Sequence, residues 1–232
     1  MPIPERTQAL QRQSAKSVVY QTVCDWIITG VMKPGEKILD SELASYFNVS
    51  RTPVREALQL LQNQRLVCVI PGRATVVADL DVEDFEKCYR PLAEIDALAA
   101  ELACKNLTEP MLEELEQELQ ASAEANIKGD TPAIITHDAR FHEIIIDAAD
   151  NEYIAEFSHM LVLHIQRIRY HFFNLPTMRR ISASQHRGIL EALRARDAQR
   201  AKTLMREHWL TSMHGSLKDT MESLRQSEVS SS

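Results

Sequence analysis

Little in this chain breaks helices or cross-links loops. Six glycines in 232 residues argue against an all-β fold and favour helix. Four cysteines, Cys24, Cys68, Cys88 and Cys104, are scattered with no CxxC pair among them. That excludes a dense disulfide framework and fits reduced, buried thiols in a cytoplasm. No apolar run approaches the roughly eighteen residues of a membrane span, and no signal-peptide pattern opens the chain. A cytoplasmic protein with no membrane partner is therefore expected. At 232 residues it is long enough for two modest domains, each with its own core.

Positive charge is also short overall, with a net of −7, but the deficit is unevenly divided. Residues 1–78 hold nine Lys/Arg against six Asp/Glu, a net of +3, and the remainder holds 17 against 27, a net of −10. One part is suited to meet phosphates and the other to do a different job.

The basic part contains FNVSRTPVREALQLLQ, residues 47–62. Ser50 is placed to cap a helix, and Pro53 falls in the first turn, where its missing N–H costs nothing. Arg51 and Arg55 are four apart and share a face, while Val54, Leu58 and Leu61 form a separate apolar stripe. A helix anchored by one face, with Arg51, Thr52 and Arg55 at its N-terminal end, is what major-groove reading requires. Two arginines on a helix are also an ordinary solvated surface. The order of elements around them decides between the two.

Residues 1–16 read as a loose arm. A helix is expected over Ser17–Thr29, with Val19, Val23, Trp26 and Ile27 inward and Gly30 as its stop. A turn follows at Lys33-Pro34-Gly35-Glu36. Asp40 is placed to cap a short helix over Ser41–Phe47, and the Ser50 helix comes next. Two β-prone runs, VCVI and ATVVA, flank Pro71-Gly72-Arg73 and signal a hairpin. Residues 17–78 thus have the order of a winged helix-turn-helix, with Gly72 and Arg73 at the wing tip, close to the DNA backbone or minor groove. From 79 to 226 the pattern is helical almost throughout, in segments near 82–105, 109–127, 132–148, 151–173, 178–195 and 198–224. Pro91 either starts or kinks the first of these. Residues 227–232 are expected to form a disordered tail.

The string from Leu39 through SRTPVREAL, with Leu66-Val67 and Pro71-Gly72-Arg73 after it, resembles the GntR family of bacterial transcription regulators over roughly residues 17–78. The helical remainder resembles the FadR-type branch, whose FCD domain is an effector-binding bundle, in its six-helix, VanR-like form. The implied fold is mainly α: a winged helix-turn-helix followed by an all-helical antiparallel bundle. By this resemblance Arg51, Thr52 and Arg55 occupy positions used for bases and phosphates, and Gly72 occupies the wing tip. One position departs, since Ser41 stands where several relatives carry an arginine.

Asp138 and His142 are four apart on an expected helix, about 40° from one another around its axis. His186 and His208 lie on the last two expected helices, and packing in a bundle can bring such side chains together. One carboxylate and three imidazoles suit Zn²⁺ or Ni²⁺. Eight histidines also make some Asp–His pair expected, and spacing alone leaves a surface ion pair as the alternative. The resemblance implies the metal. Many FCD domains carry D-x-x-x-H on one helix and two later histidines, and Asp138, His142, His186 and His208 match one for one. His164 and His171 either line the same cavity or serve the core and its boundary. Arg90 and Glu94 match an R-x-x-x-E found early in FCD domains, where the arginine faces the ligand; an intrahelical pair is the alternative. An arginine beside a metal favours a small carboxylate effector.

The expected function is a ligand-responsive repressor, a homodimer on palindromic operator DNA, released by a small organic acid at a metal-containing pocket. A metalloenzyme using the same four ligands is a second reading, opposed by the lack of a separate general base or nucleophile motif. A third makes the helical domain a dimerisation scaffold only.

Overall fold

The computed structural model of the chain describes residues 14–70, 74–80, 82–172 and 176–230. Gly72 and Arg73 lie outside the described residues, as do residues 1–13 of the expected arm, residues 231–232 of the expected tail and the side chain of His171. The chain divides after Asp79 into two compact units.

In the first unit, Ser14 begins helix α1 (Ala15–Ile28) by accepting the Ser17 N–H at 3.2 Å, ahead of the start expected at Ser17. Gly30, at φ 78°, takes the chain out of the helix in the left-handed region that glycine tolerates. Val19, Val23, Cys24, Ile27 and Ile28 are buried. Trp26 is half-buried, with its ring 5.2 Å from Tyr46 and 5.9 Å from Phe47. Helix α2 (Asp40–Tyr46) starts one residue early, because Asp40 is not its cap. Leu39 holds that position without a side-chain bond, and the Asp40 carboxylate goes to helix α3 (Arg51–Asn63) instead. Asn48, at φ 50°, makes the turn between them. Ser50 stands at the α3 N-cap position with extended backbone, although its hydroxyl makes no capping bond. Val54, Ala57, Leu58 and Leu61 bury the opposite face, at about 2 kcal/mol for each fully buried leucine.

The hairpin forms as β2 (Val67–Ile70) and β3 (Ala74–Val77), paired from Val67↔Val77 to Ile70↔Ala74. A two-residue strand, β1 (Lys37–Ile38), adds to the other edge of β3, giving the order β1-β3-β2. So short a strand shows no alternation in sequence, and the hairpin alone was expected. The Gly35 N–H donates to the Val77 carbonyl at 3.0 Å and closes the turn before β1.

The second unit has six helices among its described residues: α4 (Val82–Asn106), α5 (Glu109–Lys128), α6 (Thr131–Ala148), α7 (Glu152–Phe172), α8 (Pro176–Arg194) and α9 (Ala198–Ser230). Helix α4 runs through Pro91, so the proline does not start it, and the ring stands on the exposed side. It packs against α6, α7 and α9, and Tyr89, Leu92, Ala93 and Ala100 join Phe141, Ile145, Ile189, Leu193, Trp209 and Met213 in one core. Asp130 caps α6 through the Ala133 N–H at 3.0 Å. Asn151 accepts from the N–H groups of Tyr153 and Ile154 to begin α7. Arg196, in the turn before α9, donates to the carbonyls of Cys104 and Leu107 and so satisfies the end of α4. Helix α9 continues to Ser230, beyond the tail boundary expected at 227, since no glycine or proline follows Gly215 to stop it.

Candidate functional site

Two groups of side chains stand out, one in each unit. On the first, Arg51 opens α3 and Arg55 follows one turn later, both exposed, with Thr52 exposed beside them. Asp40 of α2 accepts from Arg51 Nη2 at 2.6 Å and from Arg55 Nε at 2.7 Å. Those bonds hold the Asp40 carboxyl below its ordinary value. The buried stripe of α3 fixes the helix and leaves Arg51, Thr52 and Arg55 on its exposed side.

In the second unit, α6 supplies Asp138 and His142, α8 supplies His186 and α9 supplies His208, all four buried. His142 Nε2 lies 3.2 Å from His186 Nε2. The three imidazoles offer ring nitrogens that all lie within 4.8 Å of one another. Tetrahedral nitrogens at the usual zinc distance would stand about 3.3 Å apart, so the cluster is near the spacing a metal needs. Asp138 adjoins it, with Oδ1 3.6 Å from His186 Nε2. Its Oδ2 accepts from Arg169 Nη1 of α7.

Burial sets the charge of this cluster. Desolvation pushes His142 down to about 3 and lowers His186 and His208 as well. All three are therefore neutral at ordinary pH, the form in which imidazole ligates a metal. Burial opposes the ionised form of Asp138 too, but the Arg169 guanidinium beside it overrides that and holds the carboxyl well below its ordinary value. The result is a buried carboxylate–guanidinium pair beside three neutral donors.

A second carboxylate stands behind the cluster. Asp96 of α4 is 1% exposed and accepts from Ser158 Oγ at 2.7 Å and Trp209 Nε1 at 2.9 Å. Burial pushes its carboxyl up to about 7. Its Oδ2 is 3.9 Å from His142 Nδ1, and that buried nitrogen has no hydrogen-bond partner among the described residues. His208 Nδ1 faces Gln185 Oε1 at 3.3 Å. With Nε2 of His142 turned to the other imidazoles, its Nδ1 is the atom that a second carboxylate would hold. The donor set and this orphaned nitrogen both fit a bound metal.

The structure thus brings Asp138, His142, His186 and His208 together. It does not bring Arg90 to them: that side chain is exposed and donates to Glu86 at 3.1 Å, while Glu94 pairs with Arg206. His164 is half-buried on α7 and is not one of the three converging imidazoles. Sequence reasoning missed Arg169 and Asp96. Each carried a signal, as a charged residue four positions from a buried apolar one: Asp96 between Leu92 and Ala100, and Arg169 after Ile165.

Residues 15–77 match the model of bacterial regulatory proteins of the gntR family, and residues 88–211 match the FCD domain. The HTH-type transcriptional regulator YdhC of Bacillus subtilis is 28% identical over 195 residues, spanning 82% of this chain and 85% of YdhC. The HTH-type transcriptional repressor RspR of Escherichia coli is 26% identical over 220 residues, spanning 95% of this chain and 93% of RspR. The solved structure of E. coli McbR/YncC is similar with a TM-score of 0.79 at 25% identity, covering 89% of this chain and 99% of that one.

Proposed function

Because this chain belongs to the GntR family of bacterial transcription regulators and carries an FCD effector-binding domain, we propose that it is a homodimeric repressor of a palindromic operator, released by a small carboxylate effector at a divalent-metal site. Its relatives are transcription regulators and not enzymes, and the name of RspR as a repressor supports the sign of control.

In this reading Arg51, Thr52 and Arg55 meet base edges and phosphates in the major groove, and Gly72 and Arg73 meet the DNA backbone. His142, His186, His208 and Asp138 hold the metal, with Zn²⁺ or Ni²⁺ the ions that suit such donors. Bound there, a divalent ion supplies positive charge and open coordination positions for a carboxylate. Arg169 is the buried cation beside the donors, and an incoming carboxylate competes with Asp138 for it. Arg90 has no part in this reading, since it faces solvent. An effector can shift DNA affinity only by its unequal affinity for two arrangements of the protein.

The observation that carries the proposal is the convergence of three buried, neutral imidazoles from three helices. Its test is a panel of two- to six-carbon mono- and dicarboxylates, scored by thermal shift with chelated and with Zn²⁺-loaded protein. Acids that stabilise only the loaded protein should then release it from DNA fragments selected out of the source genome. Acids that bind loaded and chelated protein equally would refute the role of the metal.

A further inference from the structure

The Asp40 carboxylate is divided between two successive turns of the neighbouring helix. Oδ1 accepts from Arg51 Nη2 at 2.6 Å and Oδ2 from Arg55 Nε at 2.7 Å. The two arginine side chains are 56% and 65% exposed and that of Asp40 is 21% exposed, so the acid is more covered than the groups it holds. The Nε bond occupies one edge of the Arg55 guanidinium. Its Nη1 and Nη2 atoms have no partner among the described residues.

A guanidinium donates to guanine O6 and N7 through two N–H groups on one edge. Arginine held by its Nε keeps such an edge available and has fewer rotamers to lose on binding. The same carboxylate reduces the net charge of the pair of arginines from +2 to about +1, which weakens their attraction to any phosphate within reach. Both effects move Arg55 from backbone contact toward base contact. Base contact also leaves the Asp40 bond intact, so this acid does not compete with DNA.

We propose that Asp40 is a positioning residue that sets base choice, holding Arg55 by its Nε so that the Nη1/Nη2 edge meets a guanine in each half-site. This rests on the reading that Arg55 touches a base, and the two can fail separately. Exposed ion pairs add little to stability. The expected effect of removing Asp40 is therefore on selection and not on folding.

The test selects duplexes from a randomised DNA library with the full-length protein, its Asp40→Ala and Asp40→Asn variants, and Arg55→Ala. Affinities for the selected duplex and for an unselected one are then measured at one salt concentration. The wild-type chain should choose guanine at one position per half-site, and Arg55→Ala should lose that choice. Asp40→Ala and Asp40→Asn should lose about tenfold in the ratio of guanine over other bases there, with affinity for unselected DNA unchanged or higher. If both Asp40 variants keep the choice that Arg55→Ala loses, the positioning role is wrong. If Asp40→Ala binds every duplex more tightly with the choice unaltered, Asp40 is a brake and the proposal is overturned. If Arg55→Ala itself keeps the choice, the underlying reading of Arg55 fails. Should Asp40→Ala misfold, the isosteric Asp40→Asn decides alone.

Discussion

His142 Nε2 and His186 Nε2 lie 3.2 Å apart although their residues are 44 positions apart in sequence and stand on different helices. Two charged imidazoles would not be held this close in a dry core. Burial keeps both neutral, and neutrality leaves their lone pairs free for a metal.

Asp96 faces the other side of that arrangement, its Oδ2 3.9 Å from His142 Nδ1. Replacing it with asparagine keeps its volume but removes the charge opposite His142 Nδ1 and unsettles the bonds to Ser158 and Trp209. Zn²⁺ affinity should fall about tenfold or more, the usual effect of losing such a supporting carboxylate. A competition titration against a coloured zinc chelator measures it, and an unchanged affinity would remove Asp96 from the site's support.

Arg169→Met leaves the Asp138 carboxylate buried without its guanidinium. Removing one partner of a buried pair costs about 3–5 kcal/mol. Urea unfolding of the second unit should show a loss of that size, and Asp138→Asn combined with Arg169→Met should recover part of it. A single variant as stable as the wild type would mean the pair is not closed in solution.

Leu61 is fully buried in the first unit, and Leu61→Ala should destabilise that unit by about 2–5 kcal/mol. Since the chain forms two compact units, Zn²⁺ binding by the second should be unchanged. Loss of both together would show that the units do not fold independently.

Arg55→Ala removes an exposed side chain whose described contact is Asp40. Affinity for selected DNA should fall about tenfold or more, while sedimentation shows the same oligomer as the wild-type chain. Unaltered DNA affinity would take Arg55 out of the interface.

The elements that sequence reasoning placed well are those with local signals. The hairpin has β-branched runs around Pro71-Gly72, and α3 has its stripe of Val54, Leu58 and Leu61. The six helices of the second unit have apolar periods long enough to read. What it missed depends on contacts between elements. Asp40 looks like a cap because acids before a helix usually are caps, and only the approach of α3 turns its carboxylate to Arg51 and Arg55. Arg90 resembles a ligand-facing residue by motif, yet its place on α4 turns it to solvent and Glu86. The histidine spacings are compatible with convergence but do not require it, because α6, α8 and α9 bring the rings together only on packing. Asp96 and Arg169 are legible only as charges on otherwise apolar faces.

The central claim, that the buried imidazoles hold a divalent metal, is tested most directly by calorimetric titration of chelated protein with Zn²⁺, beside the variant with His142, His186 and His208 all replaced by alanine. The account predicts one ion per chain for the wild-type protein and no comparable binding for the variant. Equal binding by the two proteins would contradict it.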